Sequence, residues 1–206
     1  AGHGEAQMRP DRAALQISVQ TRASSAAQAA AENARRQQAV LDTLRRLGLA
    51  PEQLSTAGYD VSPVTQFDKE TNEPRVVGYA VTNTIRAEVR NISQVGRVID
   101  ASLAAGANMM NSLQLYASSS DSARRAALAI AMAAAHADAE VLARSAGGRL
   151  GRLLSAVQGP SGSPPIIMRS AMAAQRVAAP TPISEGELTV GADVSATWEF
   201  IPNGSD

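Results

Sequence analysis

The sequence predicts an α+β domain, and three observations carry that prediction. Segments of strict two-residue alternation recur along the chain, longer stretches of three-to-four-residue apolar spacing lie between them, and glycine or proline stands at most of the junctions. The order expected is β(β)αββαβαβ-loop-β. It gives a mixed or antiparallel sheet, one long N-terminal helix, a shorter second helix and a long alanine-rich third helix.

The elements follow in order. Ala13, Leu15, Ile17 and Val19 alternate with Ala14, Gln16, Ser18 and Gln20, the pattern of a half-buried strand over Arg12–Arg22, and a short strand around Gly4–Met8 precedes it beyond Pro10-Asp11. A helix is expected over Ser25–Leu47. Ser25 and Gln28 have capping-box spacing, Ala27, Ala30, Ala34, Leu41 and Leu44 share a face, and Glu32→Arg36 and Asp42→Arg46 are favourable i,i+4 pairs. Gly48 suits the position after the last helical residue, and Pro51 stops the chain from continuing. Two strands, Leu54–Thr65 and Val76–Arg90, are joined by a polar hairpin loop at Phe67–Pro74. The second places Tyr79, Val81, Ile85, Ala87 and Val89 on one face, broken by Asn83.

Val95, Val98, Ile99, Ser102 and Leu103 then mark a helix ended by Gly106, and a strand follows around Met109–Ala117. The third helix, Ser120–Ala146, carries the stripe Ala123, Ala127, Ile130, Ala134, Ala137 and Val141, whose small side chains suit close packing. Gly147-Gly148 closes it and a strand at Leu150–Gln158 follows. The last strand, Glu187–Ile201, alternates cleanly, with Leu188, Val190, Ala192, Val194, Ala196, Trp198 and Phe200 inward. Residues 159–185 show no period and are longer than an ordinary connection, which suggests a functional loop. Its apolar residues Ile166, Ile167, Met168, Met172 and Val177 are either a partner surface or tucked onto their own domain. Methionine is adaptable in the first role.

Composition excludes several classes. Lys+Arg and Asp+Glu both total 19, so the basic footprint that nucleic acid or an anionic membrane surface demands is missing. With no cysteine, disulfides, thiol nucleophiles and thiolate metal sites are excluded. The longest uncharged stretch, Ala101–Ser120, is too polar for a membrane span. The chain opens on Ala1 rather than methionine, which suggests that an upstream segment has been removed.

No side-chain set reads as catalytic. His136 and Glu140 have i,i+4 spacing, but His3 is the only other histidine, so a surface pair is expected rather than a metal site. Gly159-Pro160-Ser161-Gly162-Ser163 lacks the second glycine and the following helix of a nucleophile elbow. Gly2-His3-Gly4 is followed by a strand, not by the helix of a dinucleotide fingerprint. Lys69, the single lysine, sits in a polar loop where nothing would depress its pKa. The carboxylate pairs Glu185/Glu187 and Asp138/Glu140 read as solvated faces. No cofactor and no metal are therefore expected.

Several segments together, in order, resemble one family. Gly2-His3-Gly4-Glu5 with Pro10-Asp11 and Ala13 is similar to its opening strand pair, and Ser55-Thr56-Ala57-Gly58-Tyr59 with Ser62-Pro63-Val64 to the strand after its first helix. Gly78-Tyr79 with Thr82-Asn83-Thr84, then Gly106-Ala107-Asn108, Ala146-Gly147-Gly148-Arg149-Leu150-Gly151 and Pro180-Thr181-Pro182-Ile183, complete the match. The family is the SIMPL-domain family of bacterial periplasmic and envelope-associated proteins. The resemblance implies a single SIMPL-like domain over 1–206, exported to the periplasm with its signal peptide removed. It also implies a homo-oligomer that supports the envelope or its resistance to oxidative stress, without enzymatic activity and with no established catalytic residues. The alternative reading is a periplasmic binding module for a small ligand or peptide.

Overall fold

The structure is a computed structural model that describes residues 1–68, 73–159, 166–168 and 181–203. The α+β class stands, and the strands divide between two antiparallel sheets in two compact units.

The first unit comprises Ala1–Pro10, Ala117–Ala173 and Gly186–Asp206. Its strands are β1 (Gly2–Met8), β6 (Gly148–Gln158), β7 (Ile166–Met168) and β8 (Glu187–Pro202). β8 is the middle strand of the order β1-β8-β6, and β7 pairs with its beginning. Helix α3 (Asp121–Ser145) lies on this sheet. The buried row of α3 is Ala123, Ala127, Ala131, Ala135 and Ala143; it shares Ala123 and Ala127 with the expected stripe and then departs from it, since Ile130 and Val141 are about half exposed. Alanine causes this displacement. A helix with alanine on every side carries almost no phase information, and the two large residues of the expected stripe, Ile130 and Val141, lie on the outer face.

What seats α3 is the glycine pair on β1. A Cβ at Gly4 would collide with the Ala127 carbonyl and lie 2.5 Å from the Ala131 nitrogen. One at Gly2 would collide with the Ala131 carbonyl and lie 2.5 Å from the Ala135 nitrogen. Only the absence of a side chain allows strand and helix backbones to meet this closely.

The second unit comprises Asp11–Tyr116 and Ala174–Glu185. Its sheet has the order β3-β4-β2-β5, formed by β2 (Arg12–Ala23), β3 (Leu54–Phe67), β4 (Pro74–Val89) and β5 (Met109–Tyr116). Helices α1 (Ala26–Arg46) and α2 (Val95–Ala104) complete it. β2 runs between β4 and β5, so it is more covered than the expected half-buried strand. Ser18, on its nominally outer side, is fully buried, sharing a 2.7 Å hydrogen bond with the Thr84 hydroxyl and accepting one of 2.8 Å from Asn111 Nδ2. The core gathers Leu15, Ile17, Val19, Val40, Leu44, Ile85, Val89, Val95 and Val98. Leu103, expected on the inner face of α2, is 46% exposed instead.

α1 begins and ends as expected. Ser25 accepts from the Gln28 amide, and Gly48, at φ 93°, closes the helix with Gly48 N donating to Arg45 O and Leu49 N to Leu44 O. Its buried face is rotated, however. Ala29, Asn33, Gln37, Val40 and Leu44 point inward, while Ala27 and Ala34 are exposed. The expected Glu32–Arg36 pair forms at 2.6 Å, whereas Asp42 pairs with Arg45 at 3.2 Å and Arg46 donates to the Thr43 hydroxyl instead. Asn33 explains the rotation: its amide nitrogen donates to the carbonyls of Val19 and Val81 at 2.8 and 3.1 Å, tying the helix to β2 and β4. A polarity pattern places such a residue outside, but two satisfied hydrogen bonds hold it inside.

Candidate functional site

Each sequence-derived candidate has a definite place. His136 lies 4.0 Å from Glu140 and meets the Trp198 ring edge-on at 5.8 Å, half exposed, with no further ligand group beside it among the described residues. Ile166–Met168 form β7, which pairs antiparallel with Glu187–Thr189, so the region expected to be structureless contains a strand. Met172 and Val177 lie outside the described residues, as do Lys69 and the serines of 160–165. By length and composition α3 could cross a membrane, although its buried alanine row lies on the sheet of its own unit.

Three arrangements escaped the sequence reading. The first is a small polar cluster on the face of the first sheet opposite α3. β1 and β8 are in register with His3 opposite Asp193. The imidazole Nδ1 lies 2.8 Å from Asp193 Oδ1, and Nε2 lies 3.3 Å from Glu5 Oε1. Hydrogen bonds to the two carboxylates, Asp193 first, raise the His3 pKa above the ordinary imidazole value. The folded state therefore binds this proton more tightly than the unfolded chain. The resulting stability is fully present below the unfolded value and is lost as pH rises through the folded one. Between about pH 6 and about pH 8 the wild-type melting temperature is expected to fall more than that of a His3→Gln variant. Parallel melting curves across that range would reject this tie.

The second arrangement explains why the proline-flanked segment before β8 has fixed chemistry. The Thr181 amide and hydroxyl donate to the Asp100 carboxylate on α2 at 3.1 and 2.6 Å. A Cβ at Gly96, one turn earlier, would run into the Thr181 carbonyl, and Ile183 leans on the core of the unit. The two hydrogen bonds from Thr181 hold the Asp100 carboxyl below its ordinary pKa. This contribution is present above the ordinary carboxyl range and lost as pH falls through the lowered value. Gly96→Ala and Asp100→Ala are both expected to speed amide exchange at Thr181, and acidification below about pH 4 should lower the protection of that amide, measured against its intrinsic exchange rate at the same pH, in the wild type. Unchanged exchange in both variants would show that the latch holds nothing.

The third is an apolar hollow of about 400 Å³ in the first unit. α3 contributes Ala135, Ala139, Leu142 and Ala143, and the sheet contributes Leu150, Ala196, Trp198 and Phe200. Its polar members are Asp138, Thr197 and Glu199. Leu142, 70% exposed, and Phe200, 47% exposed, stand open to solvent in its walls. It holds the only tryptophan and one of the two phenylalanines of an aromatic-poor chain. The walls offer apolar contact and no nucleophile or general base in a buried setting, so the hollow suits binding rather than bond chemistry.

The model of the SIMPL family, described as a protein of unknown function (DUF541), matches residues 1–198. The "26 kDa periplasmic immunogenic protein" of Brucella abortus is 31% identical over 208 residues, covering 97% of this chain and 82% of its own length. Its Brucella melitensis counterpart, of the same name, matches to the same extent. The "Uncharacterized protein YggE" of Edwardsiella ictaluri is 28% identical over 146 residues, 71% of this chain and 61% of its own. With the family model spanning nearly the whole chain, and the opening glycines and the 181–183 latch each given a structural task, this chain belongs to the SIMPL family.

Proposed function

We propose that the protein is a non-enzymatic periplasmic protein that self-associates and supports the cell envelope or resistance to oxidative or envelope stress. The periplasmic part is supported by the names of the Brucella relatives. Self-association is supported by one observation above others, the exposed apolar surface of the β3–β4 hairpin. β3 is an edge strand of 14 residues. Tyr59, Val61 and Phe67 on β3, with Val76 and Val77 on β4, are each between 44 and 64% exposed. Long edges with apolar side chains invite a further strand or a second copy unless something covers them. The segment carrying Ile166, Ile167, Met168, Met172 and Val177 is the second candidate contact.

Light scattering tests the reading. The wild type is expected at a multiple of its 21.3 kDa chain mass, and Val61→Lys/Phe67→Lys is expected at a lower multiple with unchanged circular dichroism. A wild type that stays monomeric over the accessible concentration range overturns self-association. Cell fractionation that leaves the native protein in the cytoplasm overturns the compartment.

A further inference from the structure

α3 is seated on its sheet by a row of alanines spaced four apart, Ala123, Ala127, Ala131 and Ala135. With about 3.6 residues per turn, the row on the opposite side of the helix is the one displaced by two positions. It consists of Arg125, Ala129, Ala133, Ala137 and Val141, and all five are exposed. The face presents more than small residues, since Val141 is 58% exposed and Ile130, beside the row, 49%. No Asp, Glu, Lys or Arg stands between Arg125 and Asp138. An apolar helix face left open over that length marks a contact rather than a solvated side.

The charges at the two ends of this face select the partner. The N-terminal end carries Arg124 and Arg125 against Asp121, a cationic excess, and the C-terminal end carries Asp138 and Glu140 against Arg144, an anionic one. The helix macrodipole favours the reverse distribution, so this polarity does not serve α3 by itself. Arg124 is engaged within its own unit, donating to Gln158 Oε1 at 3.0 Å. Arg125, on the open row, has no side-chain partner among the described residues. Glu140 flanks the far end of the row, half exposed, with Arg144 at 3.1 Å.

A second α3 laid antiparallel on the first, with Ala133 on the two-fold axis, matches this pattern to itself. Ala129 then faces Ala137 of the second copy, and Arg125 comes against Glu140 and Val141 of the second copy, twice by symmetry. The macrodipoles also lie in opposition. A parallel pair would instead set Arg125 on Arg125 and Glu140 on Glu140, like charge on like. Alanines along the row let the two axes approach at the short end of the roughly 8–10 Å range for packed helices.

We propose that the outer face of α3 is a contact between two copies of this chain, in which their α3 helices pack antiparallel about a two-fold axis at Ala133. The proposal rests on the self-association put forward above, and adds a contact on the first unit to the hairpin contact on the second. Two different two-fold contacts on one chain carry assembly beyond a dimer, whereas either alone stops at two copies.

The chain has no cysteine, so an introduced thiol reports its neighbour without competition. Ala129→Cys, Ala133→Cys and Ala137→Cys all fall on the exposed row, and circular dichroism checks that each folds as the wild type does. Under mild oxidation Ala133→Cys is expected to crosslink to itself, because helices packed this closely bring facing Cα atoms into the roughly 4–7 Å that a disulfide spans. A mixture of Ala129→Cys and Ala137→Cys is expected to give the mixed disulfide several-fold above either like pair. Arg125→Glu should cut the Ala133→Cys crosslink several-fold, and adding Glu140→Arg should restore it. Light scattering on the wild type separates the two readings. A monomeric wild type overturns self-association and this contact with it. A multimeric wild type whose mixture gives only like pairs, or no disulfide, overturns the α3 contact alone. So does an Ala133→Cys crosslink that Arg125→Glu leaves unchanged. Flotation of the wild type with phosphatidylethanolamine–phosphatidylglycerol vesicles in place of a mixed disulfide overturns it in favour of a lipid surface.

Discussion

Gly4→Val is expected to destabilise the protein by about 3 kcal/mol or more, among the largest effects of any single substitution in the first unit. The obstacle is backbone, not a movable side chain. The new Cβ would collide with the Ala127 carbonyl and press on the Ala131 amide, so α3 must lift off β1 or β1 must leave β8. Ala131→Leu attacks the same contact from the helix side and should cost at least the usual 1–3 kcal/mol of overpacking, roughly. Gly58→Ala is the control. A Cβ there meets nothing within 4 Å, so it should stay within about 0.5 kcal/mol of wild type. Chemical denaturation of the three variants decides. A Gly4→Val midpoint equal to wild type would mean that strand and helix are not in the close contact described.

In the second unit, Leu44→Ala is expected to cost about 2–5 kcal/mol. Leu44 is fully buried at the end of the inward row of α1, among Val40, Ile85 and Val89. The lost methylenes leave a cavity that flanking strands, held by ladder hydrogen bonds, collapse into only partly. Leu103→Ala, on the exposed side of α2, should cost less than about 1 kcal/mol. Comparable losses for the two leucines would indicate that α2 is turned relative to the face described. The same denaturation experiment reads both.

What the sequence made legible and what it hid follow from the size of the side chains involved. β8 was legible because its apolar residues alternate with mostly polar ones, and Leu188, Ala192 and Val194 are buried while Glu187, Asp193 and Ser195 are exposed, although Phe200 is 47% exposed. The ends of α1 were legible because a hydroxyl at Ser25 and a left-handed glycine at Gly48 are local chemistry. Helix phase was not. In α1 and α3 the inward rows are built from alanines and, at Asn33 and Gln37, from amides, so apolarity and inwardness part company. Asn83 was singled out as breaking the apolar face of β4. Its Oδ1 is buried there without a hydrogen-bond partner among the described residues, as are Asn33 Oδ1 and Gln37 Oε1. The candidate sites were least legible. The His3–Asp193 contact joins residues 190 positions apart, and the hollow exists only because a sheet edge, a helix face and two aromatic rings from distant segments converge. Local spacing carries no trace of such meetings.

The interleaving of the first unit has a consequence for how the chain matures. Of the elements described, its middle strand, β8, comes latest in the chain, and its partner β1 comes earliest. β1 and β6 have no pairing with each other, so neither has a sheet until β8 arrives. The strands and helices of the second unit, by contrast, lie almost entirely within one continuous stretch, Asp11–Tyr116, and can close while the rest of the chain is still emerging. Residues 1–10 must therefore wait for their partner strand while nearly all of the stretch up to β8 is made. Two glycines and an open strand edge are in that interval a liability for misassembly, and a protein shortened by its final twenty or so residues would lose not a tail but the centre of a sheet.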